Sequence, residues 1–197
     1  MKFLEIWIDP DDKSFANDLL SSHNLVAANL VAISLGANQP KRIWPLENYF
    51  AVCTEIIARY NLKILIIGGS HEKEIAKKLE NMTENKIINT VGQTTLRQTA
   101  ALLKHCSLFI GNDSGPMHIA AAMKTPVIEI SCHPRSGDTC HPNSPTRFSP
   151  WGTESIVLQP EQQKKPCQRG CEMGYPHCIL NVHIDSVINA FDKLIKK

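Results

Sequence analysis

No apolar run in this sequence approaches the length needed to cross a bilayer, and the opening MKFLEIWIDPDDK turns acidic after a few apolar residues. Neither a membrane span nor a secretory leader is therefore expected. Charge of one sign is also scarce: the formal excess is +2 and scattered, which argues against a nucleic-acid partner. Two catalytic signatures are missing. Gly68-Gly69-Ser70 does not extend to G-x-G-x-x-G, so a nicotinamide-dependent dehydrogenase has no support. G-x-S-x-G is absent too, which removes the esterase elbow. The seven cysteines are an odd number spread through a mid-sized chain and suggest no disulfide framework. What remains is a chain of 197 residues, 43% apolar and 20% charged, long enough for one globular domain with a linker and read as cytoplasmic.

Short β-branched runs alternate with amphipathic segments. Strands are expected at 31–36, 63–69, 87–91, 107–111, 126–131 and 155–160. Helices are expected between them, over 46–60 with Pro45 in the first turn, about 71–82, 94–106 and 116–123, and last over 183–196. This alternation implies a parallel sheet with helices on both faces, a doubly wound α/β domain. Residues 1–30 read as a linker-like segment with one helix, and 31–197 as the domain. Ligands of such sheets bind at the carboxyl ends of the strands. Residues 134–153, rich in Pro, Ser, Thr and Gly, read as a long loop off the fifth strand.

At one strand end stands Gly111-Asn112-Asp113-Ser114-Gly115-Pro116. A protease reading would make Ser114 a nucleophile with His105 as its base. It fails on context, because such proteases are all-β and bring the histidine from afar, whereas one short strand separates these two. The other reading is an anion cradle: a buried strand, a tight turn, then a helix whose free N–H groups and dipole favour phosphate. Gly115 lets a ligand approach the backbone closely. An ordinary turn with Asp or Ser as N-cap is the alternative.

GNDSGPMHIAAAMKTPVIEI resembles the signature of glycosyltransferase family 9, the ADP-heptose:lipopolysaccharide heptosyltransferases and their relatives. SLGANQPKRIWPLENYFAV, IIGGSHEKEIAKKL, INTVGQTTLRQTAALLKHCSLFIGNDSG and RFSPWG, with Cys167, Cys171 and Cys178, extend the likeness along nearly the whole chain. The resemblance implies the Rossmann-like C-terminal half of a GT-B glycosyltransferase. It implies a nucleotide-diphosphate sugar donor, ADP-heptose-like, and a lipid-linked or lipopolysaccharide acceptor reached through an N-terminal domain that this chain lacks. Membrane contact would be peripheral at most, and no cofactor is implied. The competing reading is a module that binds nucleotide sugar without transferring it.

The resemblance also assigns roles. Asp113 would contact the donor sugar near the diphosphate; its alternative is helix capping. Ser114, Gly115, Pro116 and Met117 would line the diphosphate site with backbone, Pro116 offering no N–H. Lys41 or Arg42 would take the place of the family lysine that stabilises the leaving diphosphate, the choice being open because Ile43 is inserted. Glu72 would accept from the ribose hydroxyls, with Glu74 its neighbour in contention. His118 could touch donor oxygens or be a structural hydrogen-bonder, and His133, Arg135 and Asp138 could close over the donor. Cys167-x3-Cys171-x6-Cys178, with His177 and Cys140, could hold zinc or remain reduced thiols; no metal is expected in catalysis.

Overall fold

The computed structural model describes residues 4–25 and 29–195. Of the linker-like segment 1–30, residues 1–3 and 26–28 lie outside the described residues, as does the last position of the expected helix 183–196. The elements follow in the order α1 (Pro10–Ser22), β1 (Leu30–Ser34), α2 (Leu46–Tyr60), β2 (Lys63–Ile66), α3 (Lys73–Met82), β3 (Ile88–Asn89) and α4 (Leu96–Leu103). Then come β4 (Leu108–Asn112), α5 (Gly115–Ala122), β5 (Val127–Ile130), α6 (Pro145–Phe148), β6 (Ser155–Leu158) and α7 (Ile184–Ile195). All strands are parallel, in the order β3-β2-β1-β4-β5-β6. The order reverses between β1 and β4, so the sheet has its switch point there.

Strand alternation feeds two cores. Val31, Ile33, Leu108, Ile110, Ile128 and Ile130 meet α2, α3 and α7 through Val52, Ile56, Ala76, Leu79, Val187 and Phe191. Leu30, Ala32, Phe109 and Val127 meet α1, α4 and α5 through Ala16, Leu20, Ala100, Leu103 and Ala120. Both faces of each central strand are thus covered, which is why these strands read as continuous apolar runs. Local signals set the helix ends. Asp9 and Asp12 form a capping box on α1, and Thr95 and Gln98 form one on α4. Arg97 of α4 reaches Asp9 and Asp12 at 3.2 and 3.4 Å, tying the two helices together.

Boundaries shift at several points. Pro45 is the N-cap of α2 rather than part of its first turn. The helix expected from 71 opens as a 3-10 turn, Ser70–Glu72. β3 has two residues, because it lies at the sheet edge with β2 as its sole strand partner. The segment 134–153 holds the one-turn helix α6, which Ser144 caps with its side chain.

Candidate functional site

The carboxyl ends of β1 and β4 lie side by side, with Ser34 in register with Gly111. Asn112 clamps the two exits together. It is fully buried; its amide donates to the carbonyls of Leu35 and Gly36 at 2.9 and 3.3 Å and accepts from Trp44 N–H at 3.1 Å. This carries residues 35–45, and with them Lys41 and Arg42, to the foot of the GNDSGP turn. A third loop joins through Glu72. Its carboxylate accepts from Gly36 N–H at 3.0 Å and Gly69 N–H at 3.3 Å. The fit is tight: a Cβ on Gly36 would stand 2.3 Å from the Glu72 carboxyl carbon, and one on Gly68 would stand 2.6 Å from its oxygen.

Asp113 is buried and pairs with Arg42, Oδ2 to Nη1 at 3.1 Å. The other Arg42 amino group donates to Asn143 at 2.6 Å, while Nε is buried without a partner. Burial raises the Asp113 pKa, with Arg42 and then His118 pulling it back. Lys41 donates to the carbonyl of Cys171 at 2.9 Å.

Ser114 occupies the N-cap position of α5 in extended backbone, yet its side chain does not cap the helix. Its Oγ is buried and has no hydrogen-bond partner. Such orphans are uncommon and call for an explanation. The next residue, Gly115, faces open space, since a Cβ there would meet nothing within 4 Å. The first intrahelical bond, His118 N–H to the Ser114 carbonyl at 3.5 Å, leaves the N–H groups of Gly115 and Met117 ahead of it. Pro116 fits the first turn, where a missing N–H costs nothing. The Met117 side chain is fully buried in the core, which leaves only its backbone available to a ligand. His118 is half-buried on the first turn and close enough to Asp113 to affect its charge.

His105 lies at the entry to β4 and Ser114 just past its exit. The five-residue strand β4 alone spans roughly 17 Å, which ends the protease reading. Of the residues expected to close over the donor, Arg135 pairs with Glu161 at 3.1 Å and Asp138 faces Arg169 at 3.8 Å. His133 is buried and stacks on His141. Arg135 and Asp138 are thus paired with the loop after β6, and His133 with the loop after β5.

The model of glycosyltransferase family 9 (heptosyltransferase) matches residues 3–175. The chain belongs to glycosyltransferase family 9. Among family relatives, lipooligosaccharide heptosyltransferase 2 of Haemophilus ducreyi is 26% identical over 92% of this chain and 51% of its own length. Lipopolysaccharide heptosyltransferase 3 of Escherichia coli K12 is 30% identical over 86% of this chain and 47% of its own. The crystal structure of a family 9 glycosyl transferase from Veillonella parvula superposes with a TM-score of 0.81 at 25% identity, covering 98% of this chain and 53% of that one. E. coli ADP-heptose lps heptosyltransferase II shares the fold, with a TM-score of 0.72 at 19% identity over 98% of this chain and 53% of that one. This family 9 chain therefore spans about half the length of the relatives it matches. No helix among the described residues is long and apolar enough to cross a membrane.

Three contributors to this family 9 site carried little local sequence signal: Asn112 as a clamp, Asn143 as a partner of Arg42, and Glu129. Glu129 is in register with Gly111 and points to the same face as Val127, the face that carries α4 and α5. It is buried, and one carboxyl oxygen lacks a partner. Burial first and the nearby Asp113 second push its pKa from 4.5 to about 8, against the pull of Arg42. A carboxyl whose folded pKa is raised holds its proton in the folded protein after the unfolded chain has lost it. Stability then falls as pH rises from about 4.5 towards about 8 and levels off above. Chemical denaturation at pH 5, 7 and 9 should show this slope in the wild type. Glu129→Gln should flatten it, adding on the order of a few kcal/mol at pH 9. Parallel slopes for the two proteins would remove Glu129 as the source.

Proposed function

We propose that this chain is the nucleotide-sugar-binding half of an inverting glycosyltransferase that moves a heptose-like sugar from an ADP-linked donor to a lipopolysaccharide or other lipid-linked acceptor. Family membership and the relatives' names support the chemistry. The observation that carries the donor site is the buried, unpartnered Ser114 Oγ beside the open face of Gly115 at the head of α5. A diphosphate oxygen seated there would receive the hydroxyl and the first N–H groups of α5, along the helix dipole.

In the transfer, the acceptor hydroxyl oxygen bonds to the anomeric carbon from the face opposite the leaving group. The bond from that carbon to the diphosphate breaks, with its electron pair going to the phosphate oxygen. The hydroxyl proton passes to a base on the acceptor side. The donor half stabilises the charge that grows on the diphosphate. Lys41 suits this role better than Arg42. Its hydrogen bond is to a carbonyl, so its charge is not spent on a carboxylate, whereas Asp113 balances Arg42. Arg42 orients Asp113 towards the sugar and keeps Nε for a phosphate oxygen. Glu72, with lone pairs beyond its two backbone bonds, would accept from the ribose hydroxyls. The work would be cytoplasmic, with membrane contact no more than peripheral.

Calorimetry tests the cradle. ADP should bind at least ~10-fold more tightly than adenosine, a difference of about 1.4 kcal/mol or more. Gly115→Ala is the informative variant. Its new methyl meets no protein atom within 4 Å, so the melting temperature should hold while ADP affinity falls. Equal affinities for ADP and adenosine, or an unaffected Gly115→Ala variant, would remove the diphosphate from this turn.

A further inference from the structure

We propose that Cys167, Cys171, His177 and Cys178 bind one thiophilic metal ion, zinc or iron, in a closed structural site. The fold gathers one ligand atom from each of the four, all within 4.8 Å of one another and all in buried residues. His177 Nδ1 stands 3.5 Å from both the Cys167 and the Cys178 sulfur. In a tetrahedral site with bonds of about 2.3 Å to sulfur and about 2.05 Å to nitrogen, sulfur and nitrogen are about 3.6 Å apart, and two sulfurs about 3.8 Å. The two nitrogen–sulfur distances already match, and the remaining pairs need to close by at most about 1.2 Å. A single hydrogen bond would account for one of those contacts, not both together with a third sulfur alongside. The Cys167 sulfur also accepts from the backbone N–H of Glu172 at 3.4 Å, the kind of support that outer groups give a metal-bound thiolate.

The surrounding chain needs such a tie. Residues 159–177 contain no helix or strand, longer than an unsupported loop within a compact domain usually runs. Cys167 and Cys171 of this lobe, with Cys178 just beyond it, enter the main core, and Met173 packs against it. A metal joining 167 to 178 closes the loop where apolar packing is thin. Four protein ligands leave no open coordination position, so the ion is structural. Thiolate with one imidazole favours zinc or iron over magnesium or calcium. Cys140 is exposed and outside the group, and Cys132, whose side chain meets Cys171, is not among the four.

The site also reaches towards the donor. Lys41 donates to the carbonyl of Cys171, so fixing Cys171 fixes the acceptor that orients Lys41. This second step rests on the donor-site reading above; the metal itself does not.

The test is elemental analysis of the untagged 197-residue protein. About one equivalent of zinc or iron per chain is expected. An iron-loaded protein would show sulfur-to-iron charge-transfer absorption and a zinc-loaded one would be colourless; both satisfy the proposal. Cobalt exchanged into the wild type should give the intense visible bands of a tetrahedral thiolate site. Cys171→Ser and His177→Ala should lose the metal, and Cys140→Ser should keep it. Because the first two could fail to fold, thiol titration of the wild type supplies a second measurement. Cys167, Cys171 and Cys178 should resist modification until a chelator is added, while Cys140 reacts at once. Less than about a tenth of an equivalent of metal with no such chelator dependence, or a disulfide within the cluster, would overturn the site. If metal is present but its removal leaves ADP affinity unchanged, the link to Lys41 fails and the metal site stands.

Discussion

Supplied with saturating nucleotide-sugar donor and a lipid-linked acceptor, the 197-residue chain is expected to transfer no sugar above the uncatalysed background. Transfer needs the acceptor hydroxyl held behind the anomeric carbon, a base for its proton, and the leaving diphosphate opposite. Alignment of this kind is worth on the order of 7–11 kcal/mol at best, so its loss costs many powers of ten in rate. On the proposed function, the chain would provide the leaving-group side, with Lys41, Arg42 and the head of α5. The relatives it matches carry about as much polypeptide again. Adding the acceptor half of a relative, fused or in trans, should raise product formation well above background, detected by mass spectrometry of the glycolipid. Donor binding without turnover under complementation would favour the reading as a sugar-nucleotide-binding module. Robust transfer by the chain alone would place a base within it, with Glu129, His133 and Asp138 the first to examine.

Arg42→Ala should damage both stability and binding. Arg42 and Asp113 expose 19% and 8% of their side chains, so the pair is largely withdrawn from water. Removing one member of such a pair typically costs about 3–5 kcal/mol, because the other charge is left buried and alone. The lower end applies here, since Asp113 already has a raised pKa and can take up a proton. Urea unfolding at pH 7 should show the loss, and acidifying towards pH 5 should recover part of it by protonating Asp113. Adding Asp113→Asn should rescue stability without restoring ADP affinity. That double-mutant cycle separates the structural cost from the ligand's loss of Nε. An Arg42→Ala protein as stable as wild type would mean the pair is better hydrated than its burial indicates.

The sheet was legible because parallel strands covered on both faces must be apolar at nearly every position, and KILI and LFIG show this within single windows. β3 was legible in place but not in length, since an edge strand ends where its one partner stops pairing. The turn could be read because glycine, asparagine and aspartate in sequence tolerate turn conformations and disfavour a continued strand. The choice between Lys41 and Arg42 could not be made locally. It depends on Asn143 and Cys171, 101 and 130 residues further along the chain. Glu129 gave no local sign, as one acid in a strand is ordinary until the register sets it beside Gly111. The cysteine spacing fits no common zinc pattern, and only the folded lobe shows His177 Nδ1 between two sulfurs.

The order of the strands has a kinetic consequence. β1 can pair with β2 as soon as residue 66 exists, but its other edge stays bare until β4 is made. The crevice proposed for the donor lies at that later seam, with one wall from residues 34–45 and the other from 112–118. Synthesis must therefore run past the GNDSGP turn before any crevice exists. Non-local pairing of this type is slow, and its unfinished edge is open to wrong partners. A nucleotide present during refolding would bind only molecules that have closed the seam, and would leave the early β1–β2 hairpin-free pairing untouched. Donor supply in the cell would then act late, holding finished molecules rather than guiding their formation.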